Sequence, residues 1–105
     1  MTFKEAQDEV NNWAIQFNPP YWPISHQFYR LVEEMGEVAR ELNHLGGSKK
    51  KKIEEKPSCL EDELADLMFT VICIANNQNI NLDSAFRKMM ENKIYGRDTS
   101  EVTIE

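Results

Sequence analysis

Residues 31–42 read LVEEMGEVAREL, and this stretch combines apolar and acidic residues at helical spacing. Its apolar residues recur every three or four positions, the pattern of a helix with one buried face. A second acidic run, EDELAD, occupies residues 61–66. We interpret the two runs as parts of facing helices that hold divalent cations. The first run carries Glu33, Glu34, Glu37 and Glu41.

The first two helices have recognisable start and stop signals. Thr2 and Glu5 have the spacing of a capping box, and Pro19 stops the helix because proline lacks the amide hydrogen. We therefore predict a first helix over residues 3–17. A second helix is predicted over residues 24–45, where a glycine pair follows as a common C-terminal signal.

Two further helices follow a charged linker. Ser58 and Glu61 have capping-box spacing, which predicts a third helix that opens at Ser58 and runs to about Asn76. Asn81 is the predicted N-cap of a fourth helix that ends near Gly96. Four helices and no strand pattern predict an all-α fold, a four-helix bundle. The third helix is apolar around more than half its circumference, so we expect a homodimer or larger assembly.

Length and composition limit the class of protein. The chain has 105 residues, 41% hydrophobic and 29% charged, which fits a single folded domain over residues 1–105 with a tail over 98–105. Its net charge of −6 argues against a nucleic-acid-binding surface, which would be basic. No apolar run approaches the roughly 20 residues that span a bilayer. We therefore expect no membrane partner and, without a signal-peptide pattern, a cytoplasmic location.

Two pairs of carboxylates indicate a cation site. Glu34 and Glu37 are three residues apart on the predicted second helix. Glu63 and Asp66 have the same spacing on the third, so the members of each pair lie side by side. Like charges repel at this spacing, and hard oxygen ligands favour Mg²⁺ or Mn²⁺ over zinc. A solvated acidic face is the alternative, and spacing alone leaves both interpretations open.

Angular position separates these acids. Glu34 lies beside Val38 at the edge of the apolar stripe of the second helix. Glu63 lies beside Leu67 on the third helix. Both are therefore expected to point toward a helix–helix seam, where an unpaired carboxylate is costly. Glu41 is expected to be an ordinary surface residue.

The two acidic runs together resemble the Glu-Glu-x-x-Glu … Glu-x-x-Asp signature of the MazG-like nucleotide pyrophosphohydrolases. The signature reads EEMGE over residues 33–37 and ELAD over residues 63–66. The likeness extends from the first helix to about Asp98 and is closest to short single-domain bacterial members. It implies a MazG-like all-α bundle that hydrolyses nucleoside triphosphates to the monophosphate and pyrophosphate. It also implies Mg²⁺ as cofactor, with Mn²⁺ as a substitute.

The resemblance further implies roles for individual acidic residues. Glu33 becomes a candidate for orienting or deprotonating the attacking water, and a solvent-facing position is its alternative. Metal ligation falls on Glu34, Glu37, Glu63 and Asp66.

Candidate substrate-binding residues lie at the end of the fourth helix and in the loop that follows the first helix. Lys93 and Arg97 match the family's C-terminal Lys and Arg, which would bind phosphates, although helix C-terminal charge is the alternative. Tyr95 stands between them, where the family often has Asn, and is retained as a substrate-binding candidate. Tyr21 and Trp22 are candidates for stacking a nucleobase, with loop packing as the alternative. The expected partners are a nucleoside triphosphate and further copies of the chain, as a homodimer or homotetramer.

Two other functions compete with hydrolysis. The first is a non-catalytic regulatory protein that binds nucleotide or metal without turnover. The second is a structural helical dimer whose acidic residues serve solubility alone. Metal-dependent stabilisation would distinguish the second from the other interpretations, because a site formed only in the folded state stabilises that state.

Overall fold

The structure is a computed structural model that describes residues 1–46 and 59–94. Within these ranges the chain forms four helices and no strands, which confirms the predicted all-α fold. None of these helices combines the length and apolar character needed to cross a membrane. The helices are α1 (Phe3–Ala14), α2 (Ile24–Leu45), α3 (Leu60–Asn77) and α4 (Leu82–Ile94).

Helix α3 connects the fold, since both α1 and α2 pack on it, and α4 packs on α1. The rings of Trp13 and Phe69 join α1 to α3 in an edge-on contact, with centroids 5.6 Å apart. Among the described residues, three apolar residues are buried, and two of them are alanines: Ala14, Ile72 and Ala75. One copy of the chain therefore has a thin hydrophobic core.

The start of α1 is held by two sets of hydrogen bonds. Glu5 N donates to Thr2 Oγ1 at 3.0 Å and Thr2 N donates to Glu5 Oε1 at 2.7 Å, which confirms the capping box. From α4, the Asp83 carboxylate accepts from the backbone amides of Phe3 and Lys4, both at 3.1 Å. A negative charge at this end of a helix is also favoured by the helix dipole.

Helix α1 ends at Ala14, so the predicted extension to Phe17 is wrong. Phe17 N donates to Ala14 O at 3.0 Å, a turn contact rather than the bond of a continuing α-helix. The Trp13 carbonyl, which would accept the helical bond, instead accepts from the side chain of Gln16 at 2.9 Å. A side chain thus competes with the backbone at the last turn.

The starts of α3 and α4 differ in how well the sequence predicts them. The N-cap of α3 is Cys59, whose carbonyl accepts from Glu63 N at 3.2 Å. The prediction of Ser58 as the capping residue is therefore wrong, and Ser58 itself lies outside the described residues. Asn81 is confirmed as the cap of α4, because its Oδ1 accepts from Ser84 N at 3.2 Å.

Helix α2 has the predicted bounds, but it meets α3 with an unexpected side. Its buried residues are Gln27, Glu34 and Glu41, all polar and spaced seven residues apart on one line of the helix. The apolar stripe lies mostly outside the contact with α3. Five of its members are between 52% and 71% exposed in the single chain: Phe28, Val32, Met35, Leu42 and Leu45.

Candidate active site

Carboxylates from α2 and α3 meet at the seam between these helices. One oxygen from each of Glu34, Glu63 and Asp66 lies within 4.8 Å of the others. Glu34 is 7% exposed, in agreement with its predicted position at the seam. Glu63 is partly buried, whereas Asp66 is exposed. Residues three apart on α3 project from adjacent turns, so Glu63 and Asp66 approach Glu34 together.

The electrostatics of the seam centre on Glu63. Loss of solvent contact raises the pKa of its carboxyl group above the ordinary value. The negative charges of the surrounding carboxylates raise this pKa further, in the order Glu37, Asp66, Glu34 and Glu41. A cation would relieve this repulsion, and a set of carboxylate oxygens is the donor type that Mg²⁺ and Mn²⁺ prefer. The residues present therefore fit a hard divalent cation.

Three acidic residues of α2, Glu34, Glu37 and Glu41, each have a basic side chain within 4.0 Å on the same helix. The shortest pair is Arg30 Nε to Glu34 Oε1, at 2.9 Å. This contact places a guanidinium group directly against the carboxylate cluster. The other pairs are longer: Arg40 Nη1 to Glu37 Oε2 at 4.0 Å, and His44 Nδ1 to Glu41 Oε2 at 3.9 Å.

Glu41 is not the surface residue that we expected, because it is only 5% exposed. Seven residues separate it from Glu34, and seven steps of 100° fall about 20° short of two full turns. The two side chains therefore leave α2 in nearly the same direction and meet the same neighbouring helix. The charge of Glu41 contributes to the raised pKa of Glu63.

The other acidic and basic residues predicted for the site lie outside the group of three converging carboxylates or outside the described residues. Glu37 and Glu33 are both exposed on α2 and fall outside the group of three oxygens. Glu37 nevertheless follows Glu34 by one turn, and its charge acts on Glu63. Lys93 is exposed in the last turn of α4. Arg97 and Tyr95 lie outside the described residues.

A cleft of about 420 Å³ borders the carboxylate cluster. Arg30 links the two, since it lines the cleft and bonds Glu34 of the cluster. Gln27 is buried at the other polar edge, where its Nε2 donates to Trp22 O at 3.3 Å. The remaining wall is largely aromatic and combines residues of α1, the following loop and α3: Trp13, Phe17, Pro19, Pro20, Tyr21, Trp22, Phe69, Thr70 and Cys73.

Several of these residues were missed by the sequence analysis. Arg30 precedes Glu34 by four positions, the spacing of a helical ion pair, so its contact was available from the sequence. Gln27 precedes Glu34 by seven positions and so shares its direction. Phe69 and Thr70 reach the cleft only through the packing of α3 against α1 and the loop.

Residues 25–101 match the MazG nucleotide pyrophosphohydrolase domain. The chain is also 38% identical over 102 residues to the protein YpjD of Bacillus subtilis strain 168. That similarity covers 97% of this chain and 91% of YpjD.

Solved structures resemble the fold over nearly the whole length. The crystal structure of YpjD from Bacillus subtilis matches with a TM-score of 0.78 and 38% identity, covering 90% of this chain and 96% of that chain. The Bacillus-conserved MazG protein, a nucleotide pyrophosphohydrolase, matches with a TM-score of 0.75 and 40% identity, covering 95% and 96%. The resemblance inferred from the acidic runs is confirmed. The chain therefore belongs to the MazG nucleotide pyrophosphohydrolase family and is a hydrolase that acts on nucleotide pyrophosphate bonds.

Proposed function

We propose that this protein hydrolyses nucleoside or deoxynucleoside triphosphates to the monophosphate and pyrophosphate, with Mg²⁺ as cofactor and Mn²⁺ as a substitute. The observation that carries the proposal is the meeting of the oxygens of Glu34, Glu63 and Asp66 within 4.8 Å, beside an aromatic cleft. Such an arrangement offers a cation site and a base-binding surface next to each other.

The cation would be held by Glu34, Glu63 and Asp66, with Glu37 as a fourth ligand. Glu37 is included because its charge already acts on Glu63 across the helix seam. When bound, Mg²⁺ neutralises phosphate charge and lowers the pKa of a coordinated water. Glu33 is the proposed base for the attacking water. Its exposed position on α2 leaves its side chain open to solvent.

The aromatic cleft would take the nucleobase. Trp22 lines the cleft and is 56% exposed, so its indole ring has surface available for stacking. Gln27 and Arg30 supply polar groups at the edge of the cleft, where a base or sugar has hydrogen-bonding groups. Lys93, Arg97 and Tyr95 remain proposed phosphate- and substrate-binding residues on the strength of the family resemblance.

The proposed assembly is a homodimer or homotetramer. Its support is the apolar side of α2, where Phe28, Val32 and Met35 are each more than half exposed in the single chain. Apolar side chains at helical spacing are the usual contents of a helix–helix interface. Met35→Asp would place a charge in that interface, so sedimentation velocity is expected to show a smaller species. A wild-type protein that sediments as a monomer at micromolar concentration would contradict the proposal.

Product analysis tests the proposed reaction. The purified protein is incubated with Mg²⁺ and a panel of nucleoside and deoxynucleoside triphosphates, and the products are separated by chromatography. We expect pyrophosphate and a monophosphate, and no orthophosphate. The reaction should be lost in Asp66→Ala and in EDTA, whereas Asp8→Ala, on the exposed side of α1, should retain it.

The same experiment distinguishes the alternative of a non-catalytic binding protein. Nucleotide binding detected by calorimetry, without any product across the panel, would favour that alternative over hydrolysis. A cytoplasmic location also remains a prediction, and fractionation of cells followed by immunodetection would test it.

A further inference from the structure

A connected set of side-chain amides lies between α1, α3 and the start of α4. Gln7 is 6% exposed, and its Nε2 donates to Asn76 Oδ1 at 3.0 Å and to Ile80 O at 2.7 Å. Its Oε1 accepts from Leu82 N at 3.0 Å. Asn76 Nδ2 in turn donates to Gln7 O at 3.0 Å. Both amide groups therefore use their donors and acceptors inside the protein.

This network extends to the wall of the cleft through Tyr21. Asn76 Nδ2 donates to Tyr21 OH at 3.0 Å, and Tyr21 OH donates to Asn11 Oδ1 at 2.8 Å. The hydroxyl group is thus held from α3 on one side and from α1 on the other. Tyr21 also lines the aromatic cleft, next to Trp22. The position of this part of the loop is consequently set by Asn76 and Asn11.

A contribution to the stability of the fold does not by itself explain why these buried residues are polar. Replacing both partners of a buried hydrogen bond by apolar groups of the same shape is often close to neutral. A fully satisfied polar network differs from an apolar contact in allowing one arrangement of its members. Here that arrangement fixes a tyrosine ring in the wall of the proposed base-binding cleft.

We propose that Asn76 is a positioning residue for nucleotide binding, which acts by holding Tyr21 in the wall of the cleft. The inference rests on the proposed function, in which this cleft takes the nucleobase. Without the bond from Asn76, the loop segment that contains Tyr21 and Trp22 loses its fixed distance from α3. The cleft then fits the base less closely, while the carboxylate cluster at the seam of α2 and α3 keeps its own geometry.

Two substitutions remove the bond from opposite ends. Tyr21→Phe keeps the ring and deletes the hydroxyl, which also removes the bond to Asn11. Asn76→Leu deletes the amide at similar volume, which also removes the bonds to Gln7. Each is expected to raise KM for the preferred nucleotide about tenfold, a change that corresponds to the free energy of about one hydrogen bond. The kcat and the Mg²⁺ concentration for half-maximal rate should stay within about twofold of wild type. The KM of the double variant should rise by less than the product of the two single effects, because both single variants lack the bond from Asn76 to Tyr21.

Tryptophan fluorescence gives a second readout that does not depend on turnover. Trp13 and Trp22, the two tryptophans of the chain, both line the cleft. A nucleotide analogue with a methylene bridge between the α and β phosphates should change their emission with a Kd raised about tenfold in both variants. Asn12→Ala is the matched control, because Asn12 is exposed on α1 next to Asn11, and it should behave as wild type.

Each outcome decides the proposal. Unchanged KM and Kd in folded Tyr21→Phe protein, with an active wild type, would overturn this inference and leave the proposed function intact. A fall in kcat equal to the rise in KM would also overturn it, since that would indicate disturbed chemistry. If wild type neither binds the analogue nor releases pyrophosphate, both proposals fail. If circular dichroism shows that Asn76→Leu does not fold, Tyr21→Phe is compared with Asn11→Ala, which removes the bond from Tyr21 to Asn11 and keeps the bond from Asn76. An equal rise in KM for these two variants would overturn the role of Asn76, and a larger rise for Tyr21→Phe would support it.

Discussion

Arg30→Met is expected to destabilise the metal-free protein and to strengthen its response to Mg²⁺. Arg30 Nε lies 2.9 Å from Glu34 Oε1, and Glu34 belongs to the group of three converging carboxylates. Without the guanidinium, Glu34 is left in a nearly buried position among like charges. Methionine keeps most of the aliphatic stem of arginine, so packing along the helix changes little.

The magnitude follows from the burial of the two partners. Breaking a fully buried ion pair by removing one partner costs about 3–5 kcal/mol, whereas an exposed pair contributes about 0.2–1 kcal/mol. The Glu34 side chain is 10% exposed and that of Arg30 is 48% exposed, so the pair lies between these limits. We expect a loss of about 1–2 kcal/mol in EDTA after allowing for solvent screening. A bound cation replaces the missing charge, so saturating Mg²⁺ should recover most of that loss.

Urea unfolding at one fixed protomer concentration, in EDTA and in Mg²⁺, measures both the loss of stability and its recovery by the cation. Lys4→Met is the matched control, because Lys4 and Asp8 have the same i, i+4 spacing at 2.7 Å but are both more than half exposed. The control should lose less than about 0.5 kcal/mol, with no dependence on Mg²⁺. A loss for Arg30→Met that is the same in EDTA and in Mg²⁺ would refute the assignment of Glu34 to the cation site.

The remaining predictions concern the pH response, a helix cap and the core. Glu63→Gln should stabilise the metal-free protein at neutral pH, because the raised folded pKa of Glu63 means that its ionisation opposes folding. Unfolding in EDTA at several pH values should show this advantage disappearing as pH falls through the folded pKa toward the ordinary carboxyl value; an advantage that grows at low pH would contradict it. Asp83→Ala removes the two oxygens that accept from α1 amides and should lower the free energy of unfolding by about 1 kcal/mol in urea titrations. Asp83→Asn keeps one of these acceptors, so its loss should be smaller but still measurable. Ile72→Ala, at a buried position of α3, should cost about 2–4 kcal/mol in the same titration, and a cost below 1 kcal/mol would show that this part of the core is not closely packed.

The sequence predicted helices best where local chemistry determines their ends. Helix α2 has the predicted bounds, and the capping box at Thr2 and the cap at Asn81 are both present. Predictions were wrong where two local options compete. Gln16 takes the carbonyl that would have continued α1, and Cys59 rather than Ser58 precedes α3. Which of two competing caps or hydrogen bonds forms at a helix end depends on their relative free energies. A rule based on residue spacing does not compare those free energies.

The acidic half of the candidate site was largely predictable, whereas the aromatic half was predictable only for the loop residues Tyr21 and Trp22. Helical angles placed Glu34 at the seam, and the same calculation applied to Glu41 would have given its burial as well. The cleft depends on Trp13, Phe69 and the loop residue Tyr21 meeting in three dimensions. Phe69 is far in sequence from Trp13 and Tyr21, and no periodic pattern relates a loop to the helix that it packs on.

Helix α2 buries a polar side and exposes an apolar side, and both bear on the stability of the acidic site. A helix usually turns its apolar side toward its own chain, but α2 turns Gln27, Glu34 and Glu41 toward α3. Repulsion among the carboxylates at this seam opposes folding, as the raised pKa of Glu63 indicates. Two proposed interactions would add stability to the single metal-free chain. One is a cation between α2 and α3, and the other is burial of the apolar stripe against another copy. Because both act on the same helix, we expect the acidic site to be most stable when the cation and the partner subunit are bound together.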